Sequence, residues 1–353
     1  MEEVGAMRVL HVLYSGQTGG IARFVESLFT AQKETCEPAL AFGKARGPLW
    51  QKAVEQAWLA YDLGIARGWP VNPLRMARAR RIFSGQDIIH FHYFHPALAR
   101  AALGTGARVV FTEHGMFDRE RAWPRKGMKT RAKTVFLKNA AIKCIANSRF
   151  TAGKVKELYG VDARVIPVGE FISEIKPGRS RSEIREALGL LQGDFVVAYL
   201  GRLARMKRLE RLTGSLDGLD ARLLIIGDGS HREALPGQAI HTGMVDNPFD
   251  YLAASDLLVM PAEGEPFGLS ALEAMALGVP VMCFSDGGGV CELLEGYPEL
   301  IAKDIAEMRA RIAHFVREPD EARYAGELLK KRAAAYDITR IAQAYQDIYE
   351  ETP

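Results

Sequence analysis

The chain has 353 residues, 48% hydrophobic and 25% charged, with a net charge of +3. That length predicts two domains rather than one core, and the near-neutral balance argues against a dedicated nucleic-acid binder. Four scattered cysteines (Cys36, Cys144, Cys283, Cys291) form no CxxC pair and read as reduced thiols, not a disulfide frame or zinc site. No apolar run approaches the ~18 residues of a membrane span, and the acidic start MEEVGAMRVLHVLYSG does not read as a signal peptide.

Strand-like and helix-like segments alternate from end to end. Met7–Ser15 reads as a buried strand, followed by the glycines of SGQTGG and the helical pattern IARFVESLFTAQKE. Asp87–Phe94 and Ala107–Gly115 are further strands, with AIKCIANS and ARVIPVGE after them. Such alternation predicts right-handed βαβ units around a parallel sheet. A charged break, Ser173–Leu190 with Pro177 and Gly178, reads as the linker. The alternation then restarts: strand Phe195–Leu203, a helix from Lys207, strands Ala221–Gly229 and Asp256–Glu263, the helix SALEAMAL, the strand VPVMCF and a turn at Gly287–Gly289. Ile338–Glu351 is a last amphipathic helix. The expected domains are residues 1–172 and 173–336, with 337–353 as a C-terminal helix. In open parallel sheets, ligands bind beyond the carboxyl ends of strands, so informative residues are sought there.

The stretch EPFGLSALEAMALG places Glu265 in a Gly/Pro loop and Glu273 inside an apolar helix, with Ser270 as the expected cap. The loop Glu265–Leu269 then meets a helix amino end suited to an anion. A carboxylate among Ala271, Leu272 and Met275 needs hydrogen-bond donors, which sugar or ribose hydroxyls supply; a surface glutamate is the plainer alternative. A glycosidase carboxylate pair is disfavoured, since eight helical steps span about 12 Å against the usual 5–9.5 Å. Arg202 follows a strand by two residues and Lys207 lies five further on, a fork and a point charge fit for a diphosphate. Arg205, Arg208 and Arg211 read as a solvated basic face. GDG at 227–229 is a weak Gly-x-Gly without the third glycine of a dinucleotide fingerprint. His90, His92 and His95 read as strand-end histidines rather than metal ligands, for want of a nearby carboxylate. His114 ends a strand before Gly115, where a cleft contact and a satisfied loop histidine are both open.

Together, SGQTGGIARF, DIIHFH, TEHG, VIPVGE, LGRL…K, LLIIGDG, GMVDNPFDYLAASDLLVMPA and EPFGLSALEAMALGVPVMCF resemble the retaining glycosyltransferases of family 4. The resemblance implies the GT-B fold, an α/β architecture of two doubly wound Rossmann-like domains facing an interdomain cleft. It implies a nucleotide-diphosphate sugar donor held by the C-terminal domain. Arg202 and Lys207 match the diphosphate contacts, Glu273 the ribose contact and Glu265 the residue beside the transferred sugar. The amides of Phe267, Gly268 and Leu269 fall in the loop against the phosphates, and Val245 lies where the base is held. Gly19 and Gly20 match the N-terminal glycine loop, and His114 a histidine that touches the sugar. Glu265, His114, Arg202 and Lys207 are thus the expected catalytic group. The chain departs from the family where Arg208 replaces the frequent glycine after the lysine, and where Val168, Gly169 and Glu170 replace an Asn-Gly-Val pattern.

The implied activity is hexosyl transfer with retention. UDP-sugar is the favoured donor and GDP-mannose the second, and the acceptor is a saccharide or lipid-linked sugar in polysaccharide or glycoconjugate assembly. No cofactor and no metal are expected, and the nucleotide sugar is a co-substrate. A sugar-nucleotide 2-epimerase of the same fold and a transferase acting on a small soluble metabolite are the alternatives; an NAD-dependent enzyme is disfavoured by the missing fingerprint. The basic segment Asp118–Lys143, with Trp123, Met128, Val135, Phe136 and Leu137 interleaved, is expected to meet an anionic membrane surface. The expected location is cytoplasmic, peripheral on the inner face of the cell membrane.

Overall fold

The structure is a computed structural model that describes residues 6–17, 19–65, 71–115, 126–232, 235 and 237–351. The chain divides into two compact units, Met1–Glu170 with Ile338–Pro353 and Phe171–Asp337.

The first unit is a seven-stranded sheet in the order β3-β2-β1-β4-β5-β6-β7. Its strands are β1 Arg8–Ser15, β2 Glu37–Lys44, β3 Ala60–Asp62, β4 Ile88–Phe91, β5 Arg108–Glu113, β6 Ile142–Ala146 and β7 Arg164–Val165. All pairings are parallel. The central strands are almost wholly apolar because helices cover both faces. Strand β7 is only two residues long and lies at the edge of the sheet. The last helix, Ile338–Glu350, belongs to this unit and packs on the helix Gly20–Gln32.

The second unit is a six-stranded parallel sheet ordered β10-β9-β8-β11-β12-β13. Its strands are β8 Val196–Leu200, β9 Arg222–Ile226, β10 Ile240–Gly243, β11 Leu257–Met260, β12 Val281–Phe284 and β13 Ile301–Ala302. In each unit the strand order reverses beside the first strand, between β1 and β4 and between β8 and β11. A ligand crevice belongs at the carboxyl ends of those pairs.

Two expectations are corrected. The charged stretch after Ser173 is not a free linker but a strut of the second unit. Ser180 and Glu183 form a capping box for the helix Arg181–Ala187. Asp250 accepts from the amides of Gly178 and Arg179, at 2.6 and 3.1 Å. Arg185 is buried, donating to the carbonyls of Ala254, Leu191, Gln192 and Asp194 and to the Asp256 carboxylate. Second, Ser270 lies inside the helix Leu269–Ala276 and donates to Met260 Sδ, while Gly268 occupies the cap position. The four cysteines are free thiols, as expected, and the fold brings the Sγ atoms of Cys283 and Cys291 to 3.6 Å.

The basic segment is only partly described, and Asp118, Arg119, Glu120, Arg121, Trp123 and Arg125 lie outside the described residues. Within the helix Lys126–Leu137 the membrane reading needs correction. Lys133 is 1% exposed, with its Nζ 2.5 Å from Glu113 Oε2. Phe136 and Leu137 belong to the core, and Lys143 pairs with Glu351. Met128, Arg131, Val135 and Lys138 remain exposed. Among the described residues no helix is long and apolar enough to cross a membrane.

Candidate active site

In the second unit the loop after β8 carries the two expected cations. It is fastened to the loop after β9 by Gly201 N–H to Ile226 O and Leu203 N–H to Asp228 O, both 3.0 Å. A Cβ at Gly227 or Gly229 would collide with the Gly201 and Leu203 carbonyls. Those two glycines therefore serve loop packing, the plain reading of the Gly-x-Gly. Buried Tyr199 donates its hydroxyl to the Arg202 carbonyl at 3.0 Å and so sets the backbone that presents Arg202. Burial pushes the Tyr199 phenol up, Glu265 adds to the rise and Arg202 opposes it, so both charges act on this one ring. Tyr199 was not singled out from sequence; the glycine directly after the strand was its signal. The Arg202 side chain is exposed and forms no ion pair among the described residues.

Arg205–Lys207 form a 3₁₀ turn, and the helix starts at Leu209, not at Lys207. Between them Arg208 adopts the left-handed conformation, φ 52° and ψ 43°. Here glycine is the frequent family residue, and the geometry gives the reason. A side chain at this angle costs about 1–2 kcal/mol. Arg208 offsets part of that through ion pairs with Glu210 and Glu263. The expected result is that Arg208→Gly melts above Arg208→Ala by about 1 kcal/mol, the reverse of the usual helical ranking. Thermal denaturation of the two variants checks the order, and Ala above Gly would refute the strain.

Lys207 Nζ lies 2.6 Å from Glu265 Oε2, joining the loops after β8 and β11. The Lys207 and Glu265 side chains are 26% and 15% exposed. Glu265 is held by its backbone on both sides. Its N–H donates to Gly287 O at 2.9 Å, and its carbonyl accepts from Gly289 N–H at 2.7 Å. A Cβ at Gly288 would come within 2.8 Å of the Glu265 carbonyl, so the glycine turn is a cradle for this residue. Asp286 in the same turn is gripped by Arg211 at 2.9 Å, and that guanidinium sits 3.7 Å from the Phe284 ring centroid. Arg211 is therefore a structural strut rather than part of a solvated face.

Phe267 is buried edge-on to Tyr336. Gly268, at φ 96°, begins the helix Leu269–Ala276, whose amino end no side chain caps. The amides of Gly268 and Leu269 thus stand at an uncapped helix start, a geometry that suits an anion. Glu273 is 2% exposed among Ala271, Leu272, Ala274 and Met275, which excludes the surface-glutamate alternative. Val245 lies half-buried in the loop after β10, at the edge of the same sheet end.

In the first unit the loop after β1 leads to Gly19 and Gly20, where the helix Gly20–Gln32 begins without a side-chain cap. A Cβ at Gly19 would meet nothing within 4 Å, whereas Gly16 and Gly47 let two loops touch. His114 directly follows β5. Its neighbours are fixed because Glu113 accepts from Gly115 N–H and from Lys133. Its ring is 8% exposed and ends a buried chain of histidines. His114 Nε2 is 3.1 Å from His92 Nδ1, His92 Nε2 is 3.0 Å from His11 Nδ1, and His11 Nε2 is 2.8 Å from Gln32 Oε1. His90 bridges the Tyr349 and Thr112 hydroxyls, both at 2.7 Å. Burial lowers His11 to about 4 and His114 to about 3, and His90 and His92 fall well below the ordinary value for the same cause. His11, His90 and His92 lie close enough to share an ion, yet hydrogen bonds already occupy both nitrogens of each ring. A network of neutral rings accounts for them. His11 and Gln32 were not singled out from sequence. The signal was a histidine in the middle of an otherwise apolar strand, which needs a buried partner. Glu170, the departure from Asn-Gly-Val, accepts from Ser27 at 2.7 Å inside this unit.

Two family models match the chain, Glycosyltransferase Family 4 over residues 18–169 and Glycosyl transferases group 1 over residues 180–332. The putative teichuronic acid biosynthesis glycosyltransferase TuaC of Bacillus subtilis (strain 168) is 30% identical over 279 residues, spanning 75% of this chain and 70% of that protein. The chain belongs to glycosyltransferase family 4. A D-inositol 3-phosphate glycosyltransferase of Segniliparus rotundus is 30% identical over 233 residues, 54% of this glycosyltransferase and 52% of the relative. Among solved structures, that of Anabaena HepE in complex with UDP and glucose superposes with a TM-score of 0.80 at 19% identity, covering 97% of the glycosyltransferase and 99% of HepE. The fold is therefore GT-B, with two Rossmann-like parallel-sheet units. The two family matches meet near the observed boundary at Glu170 and Phe171.

Proposed function

We propose that this glycosyltransferase moves a hexose, with retention, from a nucleotide-diphosphate sugar to a saccharide or lipid-linked acceptor. The observation that carries the reading is the Lys207–Glu265 pair, which joins the two strand-end loops of the second unit. In this reading the diphosphate takes Lys207 away from Glu265 and is forked by Arg202. The amides of Gly268 and Leu269 receive a phosphate, and Glu273 holds the ribose. Glu265, released from its lysine, lies beside the transferred sugar, which His114 also contacts. Charge then grows on the departing diphosphate in the transition state, where Lys207 and Arg202 stabilise it. The protein's own cations supply this stabilisation, and no metal is assigned to the step.

UDP-sugar is the favoured donor, a choice supported by HepE having been solved with UDP and glucose. The name of TuaC supports a polysaccharide acceptor, while those of the inositol phosphate transferases support the second reading of a small anionic acceptor. A thermal-shift panel of UDP, GDP, ADP and dTDP with their sugars tests the donor. At a hundredfold excess over Kd the matching nucleotide is expected to stabilise the chain by about 2.7 kcal/mol. No shift with any nucleotide would overturn the reading.

Membrane contact through the helix Lys126–Leu137 is a further part of the proposal, now resting on its exposed Met128, Arg131 and Val135 and on Lys138. Anionic liposomes are expected to float the protein at low salt, and binding should fall as salt rises. Arg131→Glu with Lys138→Glu should reduce flotation, and no flotation by the unaltered chain would favour a soluble acceptor.

A further inference from the structure

The hydrogen-bond chain behind His114 has a direction. A neutral imidazole carries one N–H and one lone pair, so each ring that donates on one side accepts on the other. Gln32 Oε1 can only accept, which makes His11 Nε2 the donor across 2.8 Å. His11 Nδ1 is then the acceptor and His92 Nε2 the donor. His92 Nδ1 accepts in turn, so His114 Nε2 carries the proton. His114 Nδ1 is left as a bare lone pair, and it has no protein partner among the described residues. The other arm of the network agrees. Gln32 Nε2 donates to the Tyr349 hydroxyl at 3.5 Å, Tyr349 donates to His90 Nδ1, and His90 Nε2 donates to Thr112 Oγ1. Turning the Gln32 amide over reverses the arm from His11 through His92 to His114, whereas the Tyr349 and Thr112 hydroxyls can turn to suit either tautomer of His90.

We propose that Gln32 is a positioning residue that sets the tautomer of His114 through His11 and His92, so that Nδ1 is offered as a hydrogen-bond acceptor to a hydroxyl of the transferred sugar. This rests on the reading of His114 as a sugar contact. The rings between are buried, and stacking keeps them in line, with centroids 5.3 Å apart for His11 and His92 and 5.4 Å for His92 and His114. Burial disfavours the protonated forms, which keeps one proton per ring and the direction intact. The consequence at the end of the chain is chemical. With the amide as placed, His114 accepts a hydroxyl proton; with the amide reversed, the same nitrogen becomes a donor and demands the hydroxyl's oxygen. Gln32 thus chooses which hydroxyl orientation the site accepts, although it never touches the substrate.

The test begins with the full chain, ¹⁵N-labelled at histidine, without substrate. Two-bond ¹H–¹⁵N correlation spectra at neutral pH distinguish the two tautomers of each ring. His114, His92 and His11 are all expected as the Nε2–H form, and an Nδ1–H form of His114 would overturn the proposal. In Gln32→Met, which removes both the acceptor and the donor of the amide, His114 is expected to show a mixture; an unchanged Nε2–H signal would also overturn it. The kinetic readout is a fall in kcat of about fivefold, the scale of one hydrogen bond, with KM for the donor within about twofold. That loss should vanish in the His114→Phe background, because the two changes act through one contact. If His114→Phe itself turns over at the wild-type rate, the sugar-contact reading fails and the functional half of the proposal falls with it. The direction of the chain is still judged by the spectrum of the unaltered protein, so a Gln32→Met chain that failed to fold would not shelter it.

Discussion

Glu265→Gln is expected to lower the turnover of sugar transfer by about 10²–10³, the cost of removing one charge-stabilising group from a preorganised site, while donor affinity changes little. Glu273→Gln should do the reverse. It keeps the shape of a buried side chain but loses a charged acceptor, costing about 1.5–3 kcal/mol or roughly ten- to a hundredfold in nucleotide affinity. The split arises from where the two carboxylates stand. Glu265 is clamped by the 287–289 turn and paired with Lys207, so its backbone and loop should survive the substitution. Glu273 lies within the buried stretch Ala271–Ala276 of its helix, where solvent cannot take its place. Lys207→Ala and Arg202→Ala should each cost about ten- to a hundredfold in kcat/KM, again the scale of a hydrogen bond to a charged group, and both should hurt UDP binding more than UMP binding. Steady-state kinetics with isothermal titration of the nucleotide separates these effects. Wild-type transfer rates in both glutamate variants would remove the site assignment altogether.

The strand-end residues were legible because buried parallel strands announce themselves as apolar runs, and a polar residue at the end of such a run stands out. Arg202, Lys207 and Glu265 were found that way, and the structure brings the last two into one ion pair. Less was visible where pattern and role diverge. Strand β2, with Pro38, Gly43 and three alanines or phenylalanines between, lacks the β-branched run that marks β1. Lys133 and Arg185 look like solvent charges in sequence, yet tertiary partners Glu113 and Asp256 draw them into the interior. Arg208 read as a departure from a family pattern, and only the backbone angle shows the constraint behind that pattern. The histidine network was the least legible part. Its members sit 21 to 81 residues apart along the two bonds of His11, so no local spacing reports it.

Acid should dismantle the first unit before the second. The four rings His11, His90, His92 and His114 all titrate below the ordinary histidine value, chiefly because burial penalises the charged form. The hydrogen-bonding groups around them are Gln32, Thr112, Tyr345 and Tyr349, with neither a carboxylate nor a cation among those partners. Above about pH 6.5 these rings are neutral both folded and unfolded, and they contribute no pH dependence. Below it the unfolded chain binds protons that the native rings refuse, so stability falls as pH falls. The loss continues down to the folded values, about 4 for His11 and about 3 for His114. At pH 5 His11 and His114 each forfeit about 2 kcal/mol, since each pH unit below the unfolded pKa is worth about 1.36 kcal/mol, and His90 and His92 act in the same direction. His11 and His114 alone forfeit about 4 kcal/mol, a large share of the stability of an ordinary domain. The histidines of the second unit, His231, His241 and His314, lie outside this network. Calorimetry from pH 7.5 to 5 is therefore expected to show a transition of the first unit moving down by roughly 8–16 °C, with the second unit less affected. Replacing His92 by Gln should flatten the pH slope by about one proton, through the linkage between slope and proton uptake. A first-unit transition that moved by only a few degrees over this range would show that the rings are not held neutral.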